Sequence, residues 1–143
     1  MLAGAPYTTG ETRAQGEIIF TQTRYVLFVS DMALLRQTFA LVLERWTGLR
    51  TVQADSPTAG SGLLADLDGD IALAVVSVDT ADDPDTRLIQ SLHERGLPVL
   101  AFGLEESTDL LSRALKAGAD DAISLGAPVT QFVGKATQLA KAA

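Results

Sequence analysis

Ile71-Ala72-Leu73-Ala74-Val75-Val76-Ser77-Val78-Asp79 is the most apolar run of the 143-residue chain. A strand with one wet face alternates apolar and polar residues, whereas this run stays apolar until Ser77. It reads as a strand over Ile71 to Val78, covered on both sides. Burial of that kind is the mark of a parallel sheet between two layers of helices.

The rest of the chain repeats the pattern on either side. Tyr25-Val26-Leu27-Phe28-Val29 is an earlier run of the same kind, and Arg50 to Ala54 is a shorter strand. Pro98 to Phe102 and Ala122-Ile123-Ser124 follow as strands four and five. Between the strands, apolar residues recur at helical spacing. Leu35, Thr38/Phe39, Val42 and Trp46 form the first such face, stopped at Gly48, and Trp46 is expected in the core. Asp55-Ser56-Pro57 opens a weaker helix with Leu63, Leu64 and Leu67 inward, because Gly60 and Gly62 lower its propensity. Leu88, Ile89 and Leu92 define a third helix ending at Gly96. Ser107 is placed to cap a fourth, with Leu110, Leu111, Ala114 and Leu115 inward and Gly118 as its stop. Pro128 occupies a favoured first position ahead of Val129, Phe132/Val133, Ala136 and Leu139/Ala140.

Five βα units predict one α/β domain over residues 24–143, with its functional groups at the carboxyl ends of the strands. Those ends are Ser30-Asp31, Ser77, Gly103 and Ser124-Leu125. Residues 1–23 read as a flexible N-terminal arm or an expression remnant, with Ile18-Ile19-Phe20 a marginal strand at most.

Composition removes several function classes. A net charge of −7 argues against nucleic acid or an anionic membrane as partner. No apolar run reaches the roughly 18 residues of a membrane span, and no secretory signal pattern opens the chain. Zero cysteines and a single histidine, His93, argue against thiol chemistry, zinc clusters and a His-based triad. A cytoplasmic location is expected. G-x-G-x-x-G, Walker and G-x-S-x-G motifs are all missing, so no enzyme is predicted.

Val26-Leu27-Phe28-Val29-Ser30-Asp31-Met32-Ala33-Leu34-Leu35-Arg36 resembles the opening of response-regulator receivers, particularly of the NarL/FixJ group. Leu97-Pro98-Val99-Leu100 looks like that family's fourth strand. Ala114-Leu115-Lys116-Ala117-Gly118-Ala119-Asp120-Asp121 closely resembles its Ala-Leu-x-Ala-Gly-Ala-Asp-Gly signature. The resemblance implies a flavodoxin-like doubly wound sheet of five parallel strands in the order 2-1-3-4-5. It also implies a crevice in which three acids hold Mg²⁺, the third-strand aspartate takes phosphate, and a hydroxyl and a lysine bind the phosphoryl group. Carried across, the acid pair falls on Ser30 and Asp31 and the acceptor on Ser77. The hydroxyl position falls on Gly103 and the lysine position on Leu125. Ser77 lies 19 residues before Gly96 and Gly103 lies 22 before Leu125, both in keeping with an ungapped receiver.

The expectation is a degenerate receiver, or pseudo-receiver. A serine hydroxyl needs a base to become a nucleophile, whereas a carboxylate is already anionic. Asp31 alone is a weak magnesium candidate, so no cofactor is predicted. The first functional reading is a phosphorylation-independent signalling module acting through protein contacts, a homodimer included. Its contact face would be the first and last helices, or the fourth helix with the fifth strand and helix. It would serve as an excised input domain of a transcriptional regulator or as a stand-alone adaptor in two-component signalling. One alternative is a small-molecule sensor using the emptied crevice. Another is a live receiver in a shifted register with Asp79 as acceptor. Simpler roles are open beside these: Ser77 as a strand-end hydroxyl bonding backbone, Asp31 as a helix N-cap, His93 as a solvated residue on a helix dipole. The acidic run Asp79, Asp82, Asp83 and Asp85 reads as a solvated loop.

Overall fold

The computed structural model describes residues 24–67, 70–78, 83–103 and 108–142. The reading of Ile18–Phe20 as a strand, the cap at Ser107 and the position of Asp79 lie outside those residues. Strands β1 (Tyr25–Val29), β2 (Arg50–Ala54), β3 (Ile71–Ser77), β4 (Val99–Gly103) and β5 (Asp121–Ser124) alternate with five helices. These are α1 (Ala33–Thr47), α2 (Pro57–Asp66), α3 (Asp83–Glu94), α4 (Thr108–Ala117) and α5 (Val129–Ala142). All strand pairs are parallel, in the order β2-β1-β3-β4-β5, the doubly wound sheet expected from the sequence.

Side-chain alternation along the strands divides the core in two. Leu27, Val29, Ala74, Val76, Val99 and Ala101 face α2, α3 and α4, where Leu64, Leu88, Ile89, Leu92 and Ala114 meet them. Val26, Phe28, Leu73, Val75, Leu100 and Phe102 face α1 and α5, where Leu43, Phe132, Val133 and Ala136 meet them. Every residue of β3 is buried, which is why the sequence there cannot alternate.

Turn chemistry sets where α1, α3 and α4 stop. Gly48, Gly96 and Gly118 all take positive φ, at 75°, 76° and 123°. After α3, the Gly96 N–H donates to His93 O and the Leu97 N–H to Leu92 O. After α4, Gly118 and Ala119 repeat the arrangement on Leu115 O and Ala114 O, the Schellman pattern that satisfies terminal carbonyls. Asp120 then locks the chain to β4. Its Oδ2 accepts from the Val99 N–H at 2.8 Å and its own N–H donates to Val99 O at 2.9 Å. At α2, the Ser56 hydroxyl accepts from the Ala59 N–H at 3.1 Å, with Pro57 in the first turn. Gly60 in that helix is not merely a weak helix former, because a Cβ there would come within 3.0 Å of Val29 Cγ2.

Several side chains read as inward are not. Trp46 is 64% exposed, and the α5 flank beside it presents Gly134 and Thr137 rather than large apolar groups. Val129 and Leu115 are exposed, and Thr38 is exposed while Phe39 stacks on Phe132 at 4.9 Å between ring centroids. Leu34 and Leu41 project from α1 into solvent.

A Cβ at Gly118 would lie 2.6 Å from His93 Cβ, on top of the strain of its positive φ. Gly134, in the middle of α5, has open space in that direction. Gly118→Ala is therefore expected to cost about 1–3 kcal/mol, whereas Gly134→Ala should gain about 0.5–1 kcal/mol from helix propensity. Urea denaturation of the two variants side by side measures the difference.

Candidate functional site

The carboxyl ends of β1, β3, β4 and β5 form a shallow row of small and apolar groups. Val29 pairs with Val76, so Ser30 and Ser77 continue adjacent strands in register, with backbones roughly 5 Å apart. By alternation Ser30 follows Val26 and Phe28, and Ser77 follows Leu73 and Val75. Both serines therefore issue from the sheet face that carries α1 and α5. Among the described residues they are the buried polar side chains, at 3% and 4% exposure. Phe102 lies opposite Ser77 in register on the same face, and Leu125 packs against that cluster. Gly103 is buried at the end of β4, and its carbonyl accepts the Leu125 N–H at 2.7 Å.

The loop after β1 is held by short-range bonds. Ser30 N–H donates to Ala54 O at 3.0 Å, which extends the ladder past the last strand residue. The Ser30 hydroxyl accepts the Met32 N–H at 3.2 Å. Arg36 donates from Nη1 to the Ser30 carbonyl at 2.7 Å and from Nε to Gln53 Oε1 at 3.1 Å. Its guanidinium thus fastens the loop to the first turn of α1 and to β2. This role of Arg36 was not read from the sequence, where a cation one turn into a helix carries no sign of its tertiary acceptor.

The structure thus gathers Ser30, Ser77, Gly103 and Leu125 at one edge, as their positions imply. Asp31 sits at the rim, exposed, and it is not the N-cap of α1: that position falls on Met32, which has no side-chain cap. Asp79 lies outside the described residues. His93 is exposed on the last turn of α3, packed beside Gly118. Lys135 does not stand in for a crevice lysine. It pairs with Asp121 at 2.8 Å, at the opposite end of β5 from Leu125.

Mg²⁺ favours an octahedron of oxygens with carboxylates among them. The described residues of this edge offer one exposed carboxylate, two hydroxyls and apolar neighbours, with a guanidinium already on the Ser30 carbonyl. That donor set does not fit Mg²⁺. Among the described residues no three acidic or imidazole side chains cluster as a metal site.

Solved structures share this architecture. The receiver domain of a Clostridium thermocellum response regulator superposes with a TM-score of 0.70 at 15% identity, over 83% of this chain and 98% of that one. FixJ-N gives 0.71 at 21% identity, over 85% and 96%. A Burkholderia pseudomallei protein named as pilus assembly-related gives 0.69 at 17% identity, over 87% and 96%. The chain has the fold of a response-regulator receiver domain. No protein-family model matches it. A Salmonella arizonae protein named as an N-acetylmannosamine-6-phosphate 2-epimerase is 32% identical over 78 residues. The match takes in 54% of this chain and spans only about a third (34%) of that protein's length.

Ser77→Asp tests how far the crevice tolerates a carboxyl group. A carboxyl buried beside Ser30, Phe102 and Leu125 keeps its proton to higher pH in the folded state than in the unfolded chain. The folded protein then binds more protons, so stability falls as pH rises between those two values. The variant is expected to lose about 2–4 kcal/mol at neutral pH and much less in mild acid. Denaturation at both pH values, with and without Mg²⁺, gives the answer.

Proposed function

We propose that this chain is a receiver-type domain of two-component signalling that works without accepting phosphate, through contact with another protein. The observation that carries the reading is the Ser30–Ser77 row. Two hydroxyls sit beside Phe102 and Leu125 where the resemblance calls for acids and a lysine. A serine hydroxyl needs a base before it attacks a phosphoryl group at neutral pH, and among the described residues the crevice offers one carboxylate, at its rim, toward the metal that such transfer needs. At the other end of the sheet the scaffold keeps the parts that fix its shape, including the Gly118 stop and the Asp120–Val99 lock.

The contact surface is the outer side of the first and last helices, with a second copy of the chain as partner. Leu34 and Leu41 are 80% and 69% exposed. Seven residues apart on α1, they share one face, two turns from each other. Exposed leucines paired in this way favour a face that is covered in the working assembly.

Incubation with acetyl phosphate and Mg²⁺, followed by intact-mass measurement, is expected to show no gain of a phosphoryl group. A gain mapped to Asp79 would overturn the reading in favour of a shifted acceptor. Sedimentation is expected to show a self-associating chain that Leu41→Glu turns monomeric, with no change in its circular dichroism. A parent protein that stays monomeric at high concentration would refute the second copy.

A further inference from the structure

Helix α1 carries an ordered stripe along its outer side. Leu34, Thr38, Leu41 and Arg45 follow one another at intervals of four, three and four residues, and all four are exposed. At 100° per residue they stay within about 60° of one another around the helix. Asp31 stands at the amino-terminal end of that line, exposed, three residues before Leu34 and one before the N-cap Met32. The stripe therefore reads acid, leucine, threonine, leucine, base. An alternation of threes and fours is the spacing by which one helix presents a seam to another.

The two charges at its ends are not engaged by their own chain. Arg36 is turned to the Ser30 carbonyl and to Gln53, and Glu44 accepts the Thr51 N–H at 2.8 Å. Among the described residues Asp31 and Arg45 form no ion pair.

The order of the stripe fits a second copy of the same chain. A two-fold axis crossing α1 beside Thr38 sets two such helices antiparallel, and each half of the contact then repeats the other. Leu34 of one copy comes level with Leu41 of the other, twice. The same overlap brings Asp31 of each copy level with Arg45 of the other to within one residue, about 1.5 Å of helix rise. A parallel arrangement would instead set acid on acid and base on base, which disfavours binding.

We infer that the chain self-associates by antiparallel packing of α1 on α1, with Leu34 against Leu41 and Asp31 against Arg45 across the two-fold axis. This rests on the proposal above that a second copy covers the face, and it adds the orientation and the two residues that set it. The crevice rim thereby gains a role. Asp31 follows Ser30 directly, and Ser30 is held by Arg36 and by the Met32 N–H, so the loop that ends β1 positions a contact residue.

Asp31→Arg and Arg45→Asp, each alone, place like charges across both halves of the contact. At low ionic strength, sedimentation is expected to show self-association weakened about tenfold in each, with circular dichroism unchanged. An equal mixture of the two variants should recover the parent's association, because every facing pair is then opposite in sign. Since the chain has no cysteine, Leu34→Cys and Leu41→Cys report the orientation. Mild oxidation should link these two variants to each other in a mixture far more than it links either to itself. Parent-like association of both charge variants overturns the inference, as does a mixture that stays monomeric. So do disulfides that form as readily in either cysteine variant alone. Each of those results leaves standing a second copy bound in another way. A parent chain that is monomeric at high concentration strikes the second copy itself, and the inference falls with it.

Discussion

Burial of β3 on both faces is the constraint from which the rest of the molecule follows. Helices α2, α3 and α4 cover one side and α1 and α5 the other, so every β3 side chain from Ile71 to Ser77 is shut off from water. A polar atom at the end of such a strand must find its partner inside the protein. A carboxylate there would also need a cation to remain ionised. With leucine at position 125 and Lys135 engaged with Asp121 at the far end of β5, no lysine of the last βα unit is aimed at that edge. A hydroxyl at Ser77 and another at Ser30 make a smaller electrostatic demand than acids would.

Most of the architecture was legible because strong local signals coincide. Unbroken apolar runs marked β1 and β3, and glycines at 48, 96 and 118 marked helix ends where a positive φ is required. The Ala-Gly-Ala-Asp segment has a direct physical reading. Gly118 turns the chain and admits His93, and Asp120 binds both backbone polar groups of Val99, which fixes where β4 begins. Ser30, Ser77, Gly103 and Leu125 share one edge for a related reason: in a parallel sheet the strand register carries a position in sequence to a position in space. Gly60 was half legible, since its cost to helix propensity is local while its contact with Val29 is not.

Trp46, Val129 and Leu115 were misread because periodicity defines a helix face and not what stands opposite it. Trp46 continues the stripe of Leu35, Phe39 and Val42, and two of those contacts illustrate the limit. Phe39 finds Phe132 on α5, whereas one flank further along Trp46 finds Gly134 and Thr137 and stays bare. The cap assigned to Asp31 failed for a similar reason. Met32 takes the cap position, and Ser30, tied by its own hydroxyl and by Arg36, shapes the loop instead.

The two halves of the core differ in how they reach the surface. On the α1 and α5 side four aromatic rings touch in sequence: Phe28 with Phe102 at 5.5 Å, Phe102 with Phe132 at 6.4 Å, and Phe132 with Phe39 at 4.9 Å. Phe102 is also the register partner of Ser77. The serine row is thus one residue away from a packed line of rings that ends on α1 at Phe39, on the helix face that Trp46 continues. Rings in contact at these distances have few alternative packings, since interiors are close-packed and a shift of one ring displaces the next. Among the described residues the opposite side packs aliphatic side chains instead, Leu64, Leu88, Ile89 and Leu92 against Ala74, Ala101 and Ala114. A change at the crevice therefore meets this stiff element at its Phe102 end. In this receiver fold, that line of rings physically links the strand ends to α1 and α5.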